Sequence, residues 1–219
     1  MLRHAPLLVA FVLFSACTSS PDHDLILRNG TIVDGIGAPG YLGDLAIDGD
    51  RITAVGDLGD LRGVTEVDVS GLAVAPGFIN MLSWAGDALM EDGRSQGDIR
   101  QGVTLEVFGE GVSGGPLTDQ MKNLVVTSQG DIKFDVEWTT LGEYLEHLEA
   151  KGVSPNVASF VGATTLRVHE VGYEDRPPTE DELDRMRRLV RQAMEEGAVG
   201  LGSSLIYAPA FYAQTDELV

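Results

Sequence analysis

The sequence predicts an α/β protein in which a β-rich segment precedes a series of strand-then-helix units. Three observations predict this. Residues 24–74 hold short apolar runs separated by Gly, Asn and Asp. After Pro76 the apolar period lengthens from about two to about 3.6 residues. The later segments then alternate strand, helix, strand, which implies a parallel sheet, as a barrel or a doubly wound fold.

The elements follow in order. Leu25–Leu27, Thr31–Val33, Asp44–Ile47, Ile52–Val55 and Val64–Val69 are short strand candidates. Asn29-Gly30 and Asp48-Gly49-Asp50 carry hairpin-turn chemistry. Together they read as a small β-sandwich over 24–75. Gly77–Ile79 is a short apolar strand, Ser95–Gln101 a short helix stopped by Gly102, and Val103–Phe108 the next strand. Leu141, Tyr144, Leu145 and Leu148 form a helical stripe within 140–150, with Gly152 as its stop. Asn156–Val161 is a third strand. Thr179 and Glu182 form a capping box, and the helix behind it runs to Glu196. Gly197 ends that helix, and Ala198–Leu201 begins a fourth strand.

Composition narrows the function. Of 219 residues, 43% are hydrophobic and 22% charged, which is globular rather than disordered. Fifteen Lys and Arg face 34 Asp and Glu, for a formal net charge of -19. That balance excludes nucleic acid as a partner and simple docking on anionic lipid. One cysteine excludes an internal disulfide and a Cys-rich zinc module.

The N-terminus carries an export signal over residues 1–17. Arg3 is its basic start and Ala5–Phe14 an apolar stretch too short to span a bilayer. Ser15 and Ala16 precede Cys17, the sole cysteine. The arrangement resembles a bacterial lipoprotein signal, although Phe14 stands where Leu is usual. It implies lipidation of Cys17, a tether over 18–23, and export to the periplasmic side of a bacterial membrane. Thr18, rather than Asp, after the cysteine implies the outer membrane.

Leu72-Ala73-Val74-Ala75-Pro76-Gly77-Phe78-Ile79-Asn80 resembles the entry into the amidohydrolase barrel, whose motif is PGFID-x-H-x-H. Gln101–Thr104 resembles its GVTT stretch. Asn156–Gly162 with Thr165-Leu166-Arg167 resembles NVA-x-x-VGH-x-x-LR of the N-acyl-D-amino-acid deacylases. Glu196–Leu201, Leu205–Pro209 and Tyr212-Ala213 resemble a later segment of the same family. The resemblance covers about 24–219. It implies a partial (β/α)8 TIM barrel of about four strand–helix units over 76–219, preceded by the β-sandwich part. It also implies zinc-dependent hydrolysis of a small-molecule amide, with zinc held largely by residues outside this chain and a general-base Asp beyond Val219.

The departures fall on the metal motif. Leu82 and Trp84 occupy the two strand-one histidine positions, Ala163 the His of VGH, and Glu110 the position of a metal-binding Cys. Of the four histidines, His4 is in the signal and His23 in the tether. His147 and His169 read as surface or packing residues. Glu110 is the one candidate metal ligand, since a carboxylate can replace a thiolate on zinc. Asp87, Arg94 and Glu106 read as structural or solvated. The chain is expected to be the first part of a longer reading frame, inactive alone. The alternatives are a non-catalytic lipid-tethered binding protein on the same fold and a hydantoinase-like cyclic amidase. Oligomeric state is open.

Overall fold

The computed structural model describes residues 20–219; the signal and Cys17 fall outside the described residues. The chain divides after Pro76 into two compact units.

The described part of the first unit is one five-stranded mixed sheet. Its strands are β1 (His23–Ile32), β2 (Tyr41–Asp48), β3 (Arg51–Gly56), β4 (Gly63–Asp68) and β5 (Ala73–Val74). The order is β3-β2-β1-β4, with β5 also paired to β1. β1 runs antiparallel to β2 and parallel to β4 and β5. Ile26, Ala46 and Leu58 form its small core.

Two expectations change here. Asn29-Gly30 is not a hairpin turn but an irregularity inside one long strand. Asn29 takes a φ of 61°, and its amide donates to Asp44 Oδ1 at 2.9 Å, so the kink is held by the neighbouring strand. Glycine is required next to it, because a Cβ on Gly30 would lie 2.6 Å from Val74 Cγ2. Second, the expected tether does not reach residue 23. Asp22 exchanges bonds with Arg62, and His23 opens β1 with Nδ1 2.8 Å from Asp48 Oδ2. The turn at Asp48-Gly49-Asp50 does join β2 to β3.

The second unit carries parallel strands with helices between them. In order these are β6 (Phe78–Asn80), α1 (Gly86–Glu91), α2 (Gln96–Ile99), β7 (Val103–Phe108), α3 (Asp119–Ser128) and α4 (Leu141–Lys151). There follow β8 (Asn156–Ser159), β9 (Val161–Gly162), α5 (Ala163–Glu170), α6 (Glu180–Glu195), β10 (Leu201–Gly202) and α7 (Thr215–Leu218). β6, β7 and β8 form one parallel sheet in that order, and β9 pairs parallel with β10. α4 and α6 each begin with a complete capping box, on Thr140–Glu143 and Thr179–Glu182. Leu141, Tyr144 and Leu148 of α4 turn into a core shared with Leu89, Phe108, Trp138, Val161, Leu166 and Met186.

The fourth strand is shorter than expected. The amide of Ala198 is used to close α6, donating to Ala193 O at 2.9 Å, with Gly197 at a φ of 105°. Val199 N still donates to Ser159 O and Gly200 O accepts from Val161 N, both at 2.9 Å, but the strand itself is only Leu201–Gly202. The third strand is also interrupted: Phe160 separates β8 from β9.

Candidate functional site

The loops after β6 and β7 build the site. Beyond β6, the amide of Ser83 donates to Val107 O at 2.9 Å, which carries the pairing one step past the strand. Ser83 is buried, and its hydroxyl accepts from the amide of Ala85 at 3.1 Å. Because Ser83 turns inward, its neighbours Leu82 and Trp84 face solvent, at 48% and 73% exposure.

The loop after β7 is fixed by close backbone approach. Gly109 has a φ of 92°, and a Cβ there would meet Phe160 O at 2.1 Å. Gly111 has a φ of 125°, and its carbonyl accepts from the amides of Thr164 at 2.9 Å and Thr165 at 3.3 Å. That carbonyl serves the first turn of α5, which has no side-chain cap of its own. Ser113 completes the clamp: its amide donates to Thr165 Oγ1 at 2.9 Å, and its hydroxyl accepts from Gly162 N at 2.9 Å. Glu110 lies between these two glycines and is exposed.

These loops enclose a cavity of about 290 Å³, lined in part by Leu82, Trp84, Phe108, Glu110, Trp138 and Tyr144. Trp138 is its fixed wall. Nε1 donates to Gly114 O at 2.7 Å, and the ring packs 5.2 Å from Tyr144 and 6.2 Å from Phe134. Burial, with help from the Asp87 charge, pushes the Tyr144 hydroxyl up in pKa. It stays a neutral hydrogen-bonding group at any physiological pH.

The structure thus gathers Leu82, Trp84 and Glu110 on one wall, together with Asp87. It leaves the other expected residues elsewhere. Ala163 is buried at the start of α5. His147 packs 5.0 Å from Trp138, and His169 Nδ1 pairs with Glu170 at 2.9 Å. Arg94 forks onto Asp92 at the surface.

Of the two alternatives for Glu106, structural or solvated, the structure takes the first, because the side chain is fully buried. Asn80 donates to its Oε2 at 3.1 Å, while Oε1 has no partner among the described residues. The sequence showed a charged residue at the centre of an apolar strand, which was the available signal. Arg167 also went unassigned. It is buried on the inner face of α5 and paired with Glu217. Its guanidinium donates to the carbonyls of Glu174 and Arg176.

A metal centre does not fit the residues present. Leu82 and Trp84 offer no donor atom. Among the described residues no group of three or more His, Cys, Asp or Glu could hold an ion. Glu110 and Asp87 are the carboxylates of the cavity lining, and no His or Cys joins them there.

No family model matches the chain. A D-aminoacylase of Alcaligenes xylosoxydans xylosoxydans is 37% identical over 206 residues, which is 92% of this chain and 42% of that protein. A solved D-aminoacylase with a binuclear metal center, described by one-metal activation and second-metal attenuation, matches at a TM-score of 0.79 and 35% identity. That match covers 90% of this chain and 41% of that one. The N-acyl-D-glutamate deacylase of Bordetella bronchiseptica, complexed with zinc and a phosphonate mimic of the tetrahedral intermediate, matches at 0.77 and 32% identity. It too is covered to 41%, and 90% of this chain aligns. The chain therefore spans about two-fifths of the length of the relatives it matches. Over the residues it spans, this chain is similar to D-aminoacylase and to the N-acyl-D-glutamate deacylase.

Proposed function

We propose that a protein carrying this segment hydrolyses the linear amide bond of an N-acyl-D-amino acid. Water adds to the acyl carbon, the C–N bond breaks, and a carboxylic acid and a free D-amino acid leave. The observation that carries the reading is similarity to D-aminoacylase along nine-tenths of the chain, 37% identical. The cavity lies beyond the ends of β6 and β7, where enzymes with parallel strands keep their sites. In this reading residues 77–219 are about four units of a (β/α)8 barrel, and the first unit is part of a small β-sandwich.

The relatives bring zinc and a binuclear centre with them, and the strand-one position here cannot supply its share. Glu110 is the candidate ligand within this segment. In this reading the other ligands and a general-base Asp are supplied from outside this segment. The residues of this segment hold the frame: Ser83 and Ser113 fix the two loops, and Trp138 and Tyr144 shape the wall.

The test is an assay of free amino acid released from N-acetyl-D-leucine by a protein carrying this segment and the remaining family length. Release from the D substrate, none from N-acetyl-L-leucine, and none by residues 1–219 alone would support the reading. Opening of a D-hydantoin instead would favour a cyclic amidase.

A second reading has its own observation: Leu82 and Trp84 remove two donors at once, which suits a non-catalytic binding protein. The absence of any turnover and of bound metal in the longer protein would favour it. In either case we infer attachment to the membrane through a lipidated Cys17 after removal of residues 1–16. Intact-mass analysis of the membrane fraction would show a diacylglyceryl-cysteine N-terminus; a soluble product starting elsewhere would refute it.

A further inference from the structure

We propose that the Tyr144 hydroxyl donates a hydrogen bond to an acceptor oxygen of the amide substrate in the cavity beyond β6 and β7. The inference rests on the amide-hydrolase reading above and adds a binding residue to it.

The first observation is how firmly Tyr144 is held. It follows directly on the capping box of Thr140 and Glu143, so its backbone is fixed at the start of α4. The helix turns it inward, where it is 6% exposed. Two loops leave room for it. A Cβ on Gly114 would lie 2.4 Å from Tyr144 Cδ1, and a Cβ on Gly86 would lie 3.1 Å from its Oη. On another side the ring packs 5.2 Å from Trp138. Glycines at 86 and 114 thus make a seat for the ring and its hydroxyl. The hydroxyl is in place before any ligand arrives, so no ordering cost falls on binding.

The second observation is that the hydroxyl has no partner within the fold. Two other donors of the same lining are taken. Trp138 Nε1 donates to Gly114 O at 2.7 Å, and the Ser113 hydroxyl donates to Gly115 O at 2.6 Å. Tyr144 Oη has no such bond among the described residues, yet it is not sealed off as Glu106 Oε1 and Arg167 Nε are. It opens to the cavity that the residue lines. Buried side chains normally have their polar atoms satisfied. A polar tip left free on an otherwise buried residue, at the wall of a cavity, is placed to meet what enters there.

The third is the chemistry of the tip. Burial, with help from the Asp87 charge, keeps the phenol protonated, so it offers an O–H at any physiological pH. An N-acyl-D-amino acid carries two kinds of acceptor oxygen, on the acyl group and on the carboxylate. The experiment separates them.

Tyr144→Phe removes the hydroxyl and keeps the ring. Thermal unfolding of the 219-residue chain should not fall, because no bond within the fold is lost. Trp84 and Trp138 are the two tryptophans of the sequence and both line the cavity, so indole emission of this chain reads binding without turnover. The dissociation constant for N-acetyl-D-leucine should rise by about three- to ten-fold, the loss of one neutral hydrogen bond. In a protein of full family length KM should rise by the same factor with kcat little changed, because the contact is made equally to bound substrate and transition state. The factor should not vary across the neutral pH range. Tyr173→Phe, at an exposed tyrosine outside the cavity lining, should change nothing. N-(3-methylbutyl)acetamide is N-acetyl-leucine without its carboxylate. A loss that persists with it places the contact on the acyl oxygen; a loss confined to N-acetyl-D-leucine places it on the carboxylate.

Equal affinity and equal KM for parent and Tyr144→Phe would overturn the proposal and leave the hydroxyl to water. A clear fall in thermal stability would overturn it too, by showing that the hydroxyl serves the fold. If the longer protein hydrolyses no N-acyl-D-amino acid but Tyr144→Phe still weakens binding to the 219-residue chain, the assigned reaction falls and the donor stands. If hydrolysis proceeds and Tyr144→Phe is indistinguishable from the parent, the donor alone falls. Neither binding nor turnover by the parent would overturn both.

Discussion

The loops beyond β6 and β7 and the region around α5 treat their polar groups in opposite ways. Around α5, Arg167 is 1% exposed and paired with Glu217, donates to two carbonyls, and lies 6.0 Å from the Tyr212 ring. Beyond β6 and β7, Leu82, Trp84 and Glu110 face solvent, and Glu110 stands between two glycines. Both regions resemble the same family. In the first, the matching residues build the scaffold. In the second, the family's donor positions hold side chains that cannot serve together as donors. Similarity of this kind establishes descent and fold more firmly than chemistry.

The largest expected effect tests whether Arg167 is a structural anchor. Arg167→Ala would leave the Glu217 carboxylate buried without its partner, a change that costs about 3–5 kcal/mol. Denaturant unfolding followed by circular dichroism should show that loss. Arg167→Met combined with Glu217→Met should recover most of it, because no charge is then stranded. A loss below about 1 kcal/mol for the single change would mean that solvent reaches the pair and that the two regions do not differ as described.

The next effect concerns Glu106, the buried carboxylate nearest the contrast. Its Oε1 has no partner among the described residues, while Asn80 serves Oε2. Glu106→Met combined with Asn80→Leu removes the unpaired acceptor together with the donor that serves its other oxygen, so stability should hold or rise by about 1 kcal/mol. Thermal unfolding reads this directly. A marked loss instead would show that the free oxygen has a partner supplied from elsewhere, and would move Glu106 from the scaffold to the site.

Much of the scaffold was legible in the sequence because its signals are local. Thr179 and Glu182 announce the start of α6, the Leu141, Tyr144 and Leu148 stripe gives α4, and β7 is bounded as its apolar run suggests. Errors arose where a local signal had a tertiary use. Asn29-Gly30 has turn chemistry, but Asp44 and Val74 recruit it into a strand irregularity. Ala198 looks like a strand residue, but its amide is taken by the end of α6. The short helix α1 carries little periodic signal, and α5 starts without a side-chain cap, so neither was foreseen. At the site, the sequence identified the departures at 82, 84 and 110. It could not bring Trp138 and Tyr144 to the same cavity, because they approach through packing across about thirty to sixty residues.

A smaller effect checks the anchored region by pH. Arg176 and the Thr179 amide hold the Glu182 carboxyl down at about 2, against an ordinary 4.5. A folded-state value below the unfolded one means that this stabilisation is complete above about 4.5. It is lost as the pH falls toward 2. Thr179→Ala should cost about 1 kcal/mol at neutral pH by removing the cap. Glu182→Gln should be less stable than the parent at neutral pH, and the gap should close as the pH falls through that window. A gap that does not change with pH would show that the Glu182 charge contributes nothing to the start of α6.

The smallest effect on stability belongs to Glu110, and it sharpens the contrast most. Glu110→Gln keeps size and hydrogen-bonding reach at an exposed position and removes only the charge. Thermal unfolding should shift by no more than about 0.5 kcal/mol, as for other surface changes. Gly109 and Gly111, not Glu110, hold this loop against Phe160 and α5. In a protein of full family length the same substitution should lower bound zinc and amide turnover together, if Glu110 contributes the one carboxylate this segment can offer. Metal content by mass spectrometry and release of D-amino acid are measured on the same preparation. Unchanged metal with unchanged turnover would make Glu110 a loop residue, and every donor would then lie outside this segment. A fall in stability of several kcal/mol would be the opposite surprise, placing Glu110 among the anchors and erasing its difference from Arg167.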